Sequence, residues 1–215
     1  MNKIVLYCCG IFLALMGSCL GASMDIVMRT DGSGKIALEY RVSSMLESVG
    51  RLDGNERWPA IPVGKADFQR SLARIPGLSL TSFSAKEAVN TLGGKELVTR
   101  VALDFKDTAA LLAFLDSTAS HASLVQENGA NILRLALLDP STDTLDADLL
   151  SLLREISAGY EISVSFTAPK NAVLSVIPPS VPAARLVPQG KKVSVAIGMG
   201  ELAGMKDGLV IEIRW

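Results

Sequence analysis

The sequence predicts an α+β fold: a mostly antiparallel sheet with two or three helices packed on it, and a central β-α-β-β-α-β segment over 95–168. Three observations carry this. Apolar and polar residues alternate in several stretches, most sharply from Lys95 to Phe105. Stripes at helical spacing fall between those stretches. Turn residues, Asp31-Gly32-Ser33-Gly34 and Asn128-Gly129, join alternating arms.

In chain order, Asp25 to Ser43 reads as a hairpin. Its first arm is Ile26 to Arg29. In the second, Ile36, Leu38, Tyr40 and Val42 face one way and Lys35, Ala37, Glu39 and Arg41 the other. Residues 44–63 lack periodicity, and Trp58-Pro59-Ala60-Ile61-Pro62 opposes regular structure. Asp67 to Ile75 suits a short helix with Phe68, Leu72 and Ile75 on one stripe, stopped by Pro76-Gly77. Leu78 to Phe83 suits a strand.

From Lys95 to Phe105, Leu97, Thr99, Val101 and Leu103 alternate with Glu96, Val98, Arg100 and Ala102. Asp107 or Thr108 caps a helix carrying Leu111, Leu112, Phe114 and Leu115. Ser123 to Gln126 and Asn131 to Leu138 flank the Asn128-Gly129 turn. Thr144 to Ala158 forms the next helix, with Leu145, Leu149, Leu152, Leu153 and Ile156 as its stripe and Gly159 as its end. Tyr160, Ile162, Val164 and Phe166 mark a strand. This is the ferredoxin-like, or split βαβ, order. Residues 169–190 hold five prolines and read as extended chain or an edge strand. Lys192 to Ile197 and Leu209 to Trp215 are expected to form a closing hairpin.

The 215 residues are 49% hydrophobic and 20% charged, a globular balance. Residues 1–18 are set apart as a signal peptide and 19–215 as one extracytoplasmic domain. The formal net charge is -1, so no basic face for nucleic acid is expected. All three cysteines, Cys8, Cys9 and Cys19, lie in the first 19 residues. Neither a disulfide framework nor a cysteine metal site is available to the domain.

The chain starts with Lys3, then an apolar run from Ile4 to Met16, then Gly17-Ser18-Cys19. Positive charge, apolar run and small residues are the parts of a secretory signal. Leu15-Met16-Gly17-Ser18-Cys19 resembles the lipobox of bacterial lipoproteins, in the relaxed form of spirochaete lipoproteins. The resemblance implies acylation of Cys19 and anchorage to a membrane of the cell envelope. The competing cut is an ordinary one after Ser23.

Catalytic chemistry is sparse. The single histidine, His121, has no acid or cysteine beside it in sequence and reads as an exposed loop residue. No Gly-x-Ser-x-Gly elbow is present. Asp139, Asp143, Asp146 and Asp148 lack the glycine and glutamate of a calcium loop and read as helix-capping acids. Any two carboxylates could meet in the fold to hydrolyse a glycan, but none is nominated. No catalytic residue, metal ligand or cofactor is therefore expected. The apolar stretch Ala172 to Val187, with Trp58, could either pack on the core or form a lip for a lipid or protein partner.

The lipobox, the Asp31-Gly32-Ser33-Gly34 hairpin, the mixed middle and Gly159-Tyr160 leading a strand into Pro169 together resemble LppM-like bacterial lipoproteins. That resemblance spans most of the chain and implies a small α/β domain with a non-enzymatic, lipid-facing role. The expectation is thus a lipid-anchored envelope domain that binds a lipid, another apolar ligand or an envelope protein. A carboxylate-dependent glycan hydrolase and a purely structural envelope component are the alternatives.

Overall fold

The computed structural model describes residues 20–43, 65–90, 93–116, 120–140, 147–157, 159–177, 181 and 184–215. Strands dominate. They are β1 (Leu20–Met28), β2 (Gly34–Ser43), β3 (Leu78–Val89), β4 (Lys95–Phe105), β5 (Ala122–Glu127), β6 (Ala130–Leu138), β7 (Glu161–Ile177), β8 (Arg185–Val187), β9 (Gln189–Gly198) and β10 (Leu209–Arg214). The helices are α1 (Lys65–Leu72), α2 (Thr108–Leu115), α3 (Ala147–Ile156) and the single turn α4 (Met199–Ala203).

All ten strands join one curled, mixed sheet in the order β3-β4-β2-β1-β7-β10-β6-β5, with β9 on β7 and β8 on β9. The β1–β7 pair is parallel; the other pairs are antiparallel. The organising element is the 17-residue β7. Its first half pairs with β1 from Ile162 to Thr167 and its second with β10 from Val173 to Ile177. β9 pairs with β7 over both halves, so β1 and β10 share the opposite edge end to end. The register to β9 breaks between Thr167 and Ala172, where Pro169 offers no N–H to a ladder.

The core lies against the face carrying Met24 and Ile26 of β1, Leu38 and Tyr40 of β2, and Val164 and Phe166 of β7. Phe166 has no exposed surface and meets Trp215 with ring centroids 4.9 Å apart. Phe68, Leu72 and Ile75 are all buried, as the α1 stripe requires. Asp107 caps α2, its Oδ1 accepting from Ala110 N at 2.8 Å. Asn128 and Gly129 both adopt positive φ, the two-residue turn that matches strand twist. The cap Thr144, residues 44–63 with Trp58, and Cys19 lie outside the described residues.

Three expectations are corrected. The elements of 95–168 occur in the expected order, but not as a ferredoxin-like sheet. β4 is saturated by β2 and β3 along its whole length, so it cannot lie beside β6. The closing hairpin does not form: β9 pairs with β7 and β8, whereas β10 pairs with β6 and β7. The first arm of the N-terminal hairpin begins at Leu20 rather than near Asp25, and nine residue pairs tie β1 to β2.

Candidate functional site

β1 places its odd residues on the sheet face opposite the core. Ser23 stands between Glu39 of β2 and Ser163 of β7, and Gly21 beside Arg41. Because Gly21 has no side chain, the surface sinks here. A Cβ at Gly21 would lie 3.3 Å from Tyr160 Cδ1. The result is a cleft of about 440 Å³ lined by Ser23, Glu39, Arg41, Tyr160, Glu161 and Ser163, with the backbone of Gly21, Ala22 and Gly159.

Its charges are already paired. Arg41 Nε donates to Glu39 Oε1 at 2.9 Å, and Arg100 Nε donates to Glu39 Oε2 at 2.6 Å. Burial raises the Glu39 carboxyl, but the hydrogen bonds from Arg100 and Arg41 outweigh it and hold the group below its ordinary value. The hydrogen bond to Glu39 likewise raises Arg41. Arg185 donates to Glu161 at the opposite wall.

Beside the cleft, on the same face of the sheet, lies a buried carboxylate that the alternation of β4 concealed. Glu96 is a carboxylate near the start of the strand, yet it is only 3% exposed. Arg41 Nη1 donates to Glu96 Oε1 at 3.3 Å, and the Tyr160 hydroxyl lies 3.5 Å from Glu96 Oε2. Asn90 Nδ2 donates to that hydroxyl at 3.2 Å. A glutamate at the first turn of a strand gives no sequence signal of burial. Its partners are 55 and 64 residues away.

His121 is also relocated. It is half-buried between two aspartates rather than exposed. Nε2 lies 3.0 Å from Asp139 Oδ2, and Nδ1 lies 3.9 Å from Asp116 Oδ1. Asp116 caps the start of β5 by accepting from the backbone N–H groups of His121 and Ala122. The β5–β6 pairing brings Asp139 to the histidine, a contact 18 residues long in sequence. Asp139 is therefore not a helix cap. Asp148 does sit in the first turn of α3, and Asp143 and Asp146 lie outside the described residues. Among the described residues, no group of three metal-ligating side chains converges.

The apolar stretch divides between two environments. Ala172, Leu174 and Val176 are buried in the core, whereas Val173, Ile177, Leu186 and Val187 are exposed. It does not line the cleft, whose lining is mainly polar. No described helix is long and apolar enough to cross a membrane.

No protein-family model matches the chain. No curated protein matches it either. Among solved structures it is similar to the folded domain of the Mycobacterium tuberculosis LppM protein. The TM-score is 0.38 at 15% identity, over 93% of this chain and 91% of that one. So low a score at that identity leaves function open, and nothing in the comparisons supports the spirochaete-type leader.

Proposed function

We propose that the chain is an exported envelope protein, anchored by a lipid on Cys19, whose domain binds a polar group at the membrane surface without catalysing a reaction. One observation carries this reading. Gly21, Ala22 and Ser23 form part of the cleft, and they belong to a strand that starts one residue after Cys19.

The same observation favours the earlier of the two processing sites. A cut after Ser23 would remove four of the nine residues of β1. It would strip partners from Tyr40, Arg41 and Val42 and delete the buried Ala22. A cut before Cys19 leaves the strand whole. Acylated cysteine carries several chains, which hold a protein durably where one chain would not.

The cleft chemistry sets the ligand class. Arg41 and Arg100 are both committed to Glu39, so an anionic group would have to displace an existing ion pair. Hydroxyl, amide and carboxylate acceptors remain. An uncharged or zwitterionic polar group, such as the head of a lipid, suits them better than an apolar chain does.

Native mass spectrometry of the full chain, extracted from envelopes in mild detergent, tests the proposal. A bound small molecule retained by the wild type and lost from Ser163→Phe, whose ring would fill the cleft, is expected. An empty cleft in both, on a correctly acylated chain, would overturn the binding role.

The glycan-hydrolase reading keeps one observation in its favour: Glu39 and Glu161 line the same polar cleft. Such chemistry needs a general acid raised above its ordinary value. Glu39 is moved the other way.

A further inference from the structure

The register of the sheet fixes which end of the strands leads back toward residue 19. Leu20 pairs with Val42, Val42 with Leu97 and Leu97 with Glu87, so these four residues form one row across β1, β2, β4 and β3. The chain leads back to Cys19 beyond that row. The next row in that direction holds Ser43, Glu96 and Ala88, and the row after it Lys95 and Val89.

Among the described residues, Val89 is the most exposed of the large hydrophobic ones, at 70%. It closes β3 about 7 Å beyond the Leu20 row, taking roughly 3.3 Å per residue. Three strand spacings of about 4.8 Å separate β3 from β1, a lateral distance near 14 Å. Cys19 is one residue from Leu20, which allows about 3.5 Å of chain. A lipid attached there therefore has no tether by which to hold this end of the sheet away from the bilayer.

We propose that this end of the sheet, bearing Leu20, Arg41, Val89 and Lys95, docks against the lipid head groups of the membrane that holds the anchor, with Val89 in contact with lipid. The proposal rests on acylation of Cys19. The partner is the lipid surface itself, because anchor and exposed apolar tip lie at one end of the sheet.

The charges here nearly balance. Lys86, Lys95, Arg41, Arg100 and Arg185 stand with Glu87, Glu39, Glu161 and the buried Glu96. Docking is thus enforced by the anchor and the apolar tip rather than by anionic lipid. The cleft lies near this end, because Gly21 and Glu161 are within two residues of it.

The test uses the full acylated chain in vesicles of neutral phosphatidylcholine containing a head-group spin-labelled lipid. A thiol dye is placed at Val89→Cys or at Thr30→Cys in the exposed β1–β2 turn at the opposite end of the strands. Cys8 and Cys9 leave with the leader and Cys19 is acylated, so each variant carries one free thiol. Blue-shifted, strongly quenched fluorescence is expected at position 89, with neither change at 30. Equal quenching at both positions, or stronger quenching at 30, would overturn the docking geometry. Mass spectrometry of the same samples reads the mature N-terminus. A chain starting at Met24 without acyl groups would overturn the anchor as well, and so distinguishes the two failures.

Discussion

The guanidinium of Arg41 joins the cleft to the interior: Nη2 stands 2.9 Å from Glu39 Oε1 at the surface, and Nη1 stands 3.3 Å from the buried Glu96 Oε1. One cation thus serves two carboxylates, and the two differ in what they lose without it. Glu39 keeps Arg100 and water. Glu96 keeps the long contact to Tyr160.

Replacing Arg41 by Met should therefore act mainly through Glu96. A buried acceptor losing its charged donor costs about 1–3 kcal/mol. The double variant Arg41→Met with Glu96→Gln should recover part of that loss, because no unpaired charge is left inside. Urea denaturation of the four proteins of the cycle measures the coupling. Strict additivity would show that Glu96 does not depend on Arg41.

Tyr40 gives the alkaline limb of stability. Its ring has no exposed surface, and burial pushes the hydroxyl up to about 12. In the unfolded chain the group titrates near its ordinary 10.0. Between the two values the native state holds a proton that the unfolded state has lost. The contribution is complete below pH 10 and is lost as pH rises toward 12. The Tyr40→Phe variant should fall less steeply in stability across this window than the wild type. Parallel slopes in thermal unfolding would count against this.

Local pattern made the strands and turns legible, because alternation and turn chemistry are properties of neighbouring residues. Ile36, Leu38 and Tyr40 are buried as their spacing requires, and Asn128-Gly129 makes the expected turn. Pairing was less legible. β9 and β10 look like the arms of one hairpin, but β7 is long enough to pair with both. Nothing in a strand's own alternation states its length past a proline, and β7 continues through Pro169. The start of β1 was obscured for a different reason. Leu20 to Ser23 is small and weakly apolar, a composition shared by strands buried on one face and by the end of a leader. The cleft was hidden because Ser23, Glu39, Arg41 and Tyr160 come from three separate segments, and each alone reads as an ordinary surface or core position.

Gly34 illustrates how a correct motif can mislead about mechanism. The sequence offers Asp31-Gly32-Ser33-Gly34 as a turn rich in residues that accept positive φ. Gly32 does so, at 82°. Gly34 has another duty: a Cβ there would collide with Val27 O and with the Phe105 ring. The Phe105 ring lies across the glycine, and Phe105 is 2% exposed. Gly34→Ala should therefore destabilise by about 1–3 kcal/mol or more through overpacking, while Gly32→Ala should show only the smaller cost of a strained turn. Chemical denaturation of both variants checks the order. A smaller loss at Gly34 would show that the ring moves aside freely.

Asp116 and Asp139 flank one histidine but should contribute unequally. The Asp116 side chain has no exposed surface, whereas that of Asp139 is 62% exposed. Asp116 Oδ2 accepts from Ala122 N at 3.0 Å and also from His121 N, so it ties the first turn of β5 to the end of α2. Asp116→Ala leaves buried backbone donors unpaired, at about 1–3 kcal/mol for each. Asp116→Asn keeps an acceptor oxygen in place and should lose less. Asp139→Asn changes one exposed side-chain contact to the His121 ring, for which about 0–1 kcal/mol is the usual scale. The expected order of urea midpoints is Asp139→Asn highest, Asp116→Asn next and Asp116→Ala lowest. Equal losses at the two positions would mean that the histidine contact, and not the backbone cap, gives the cluster its stability.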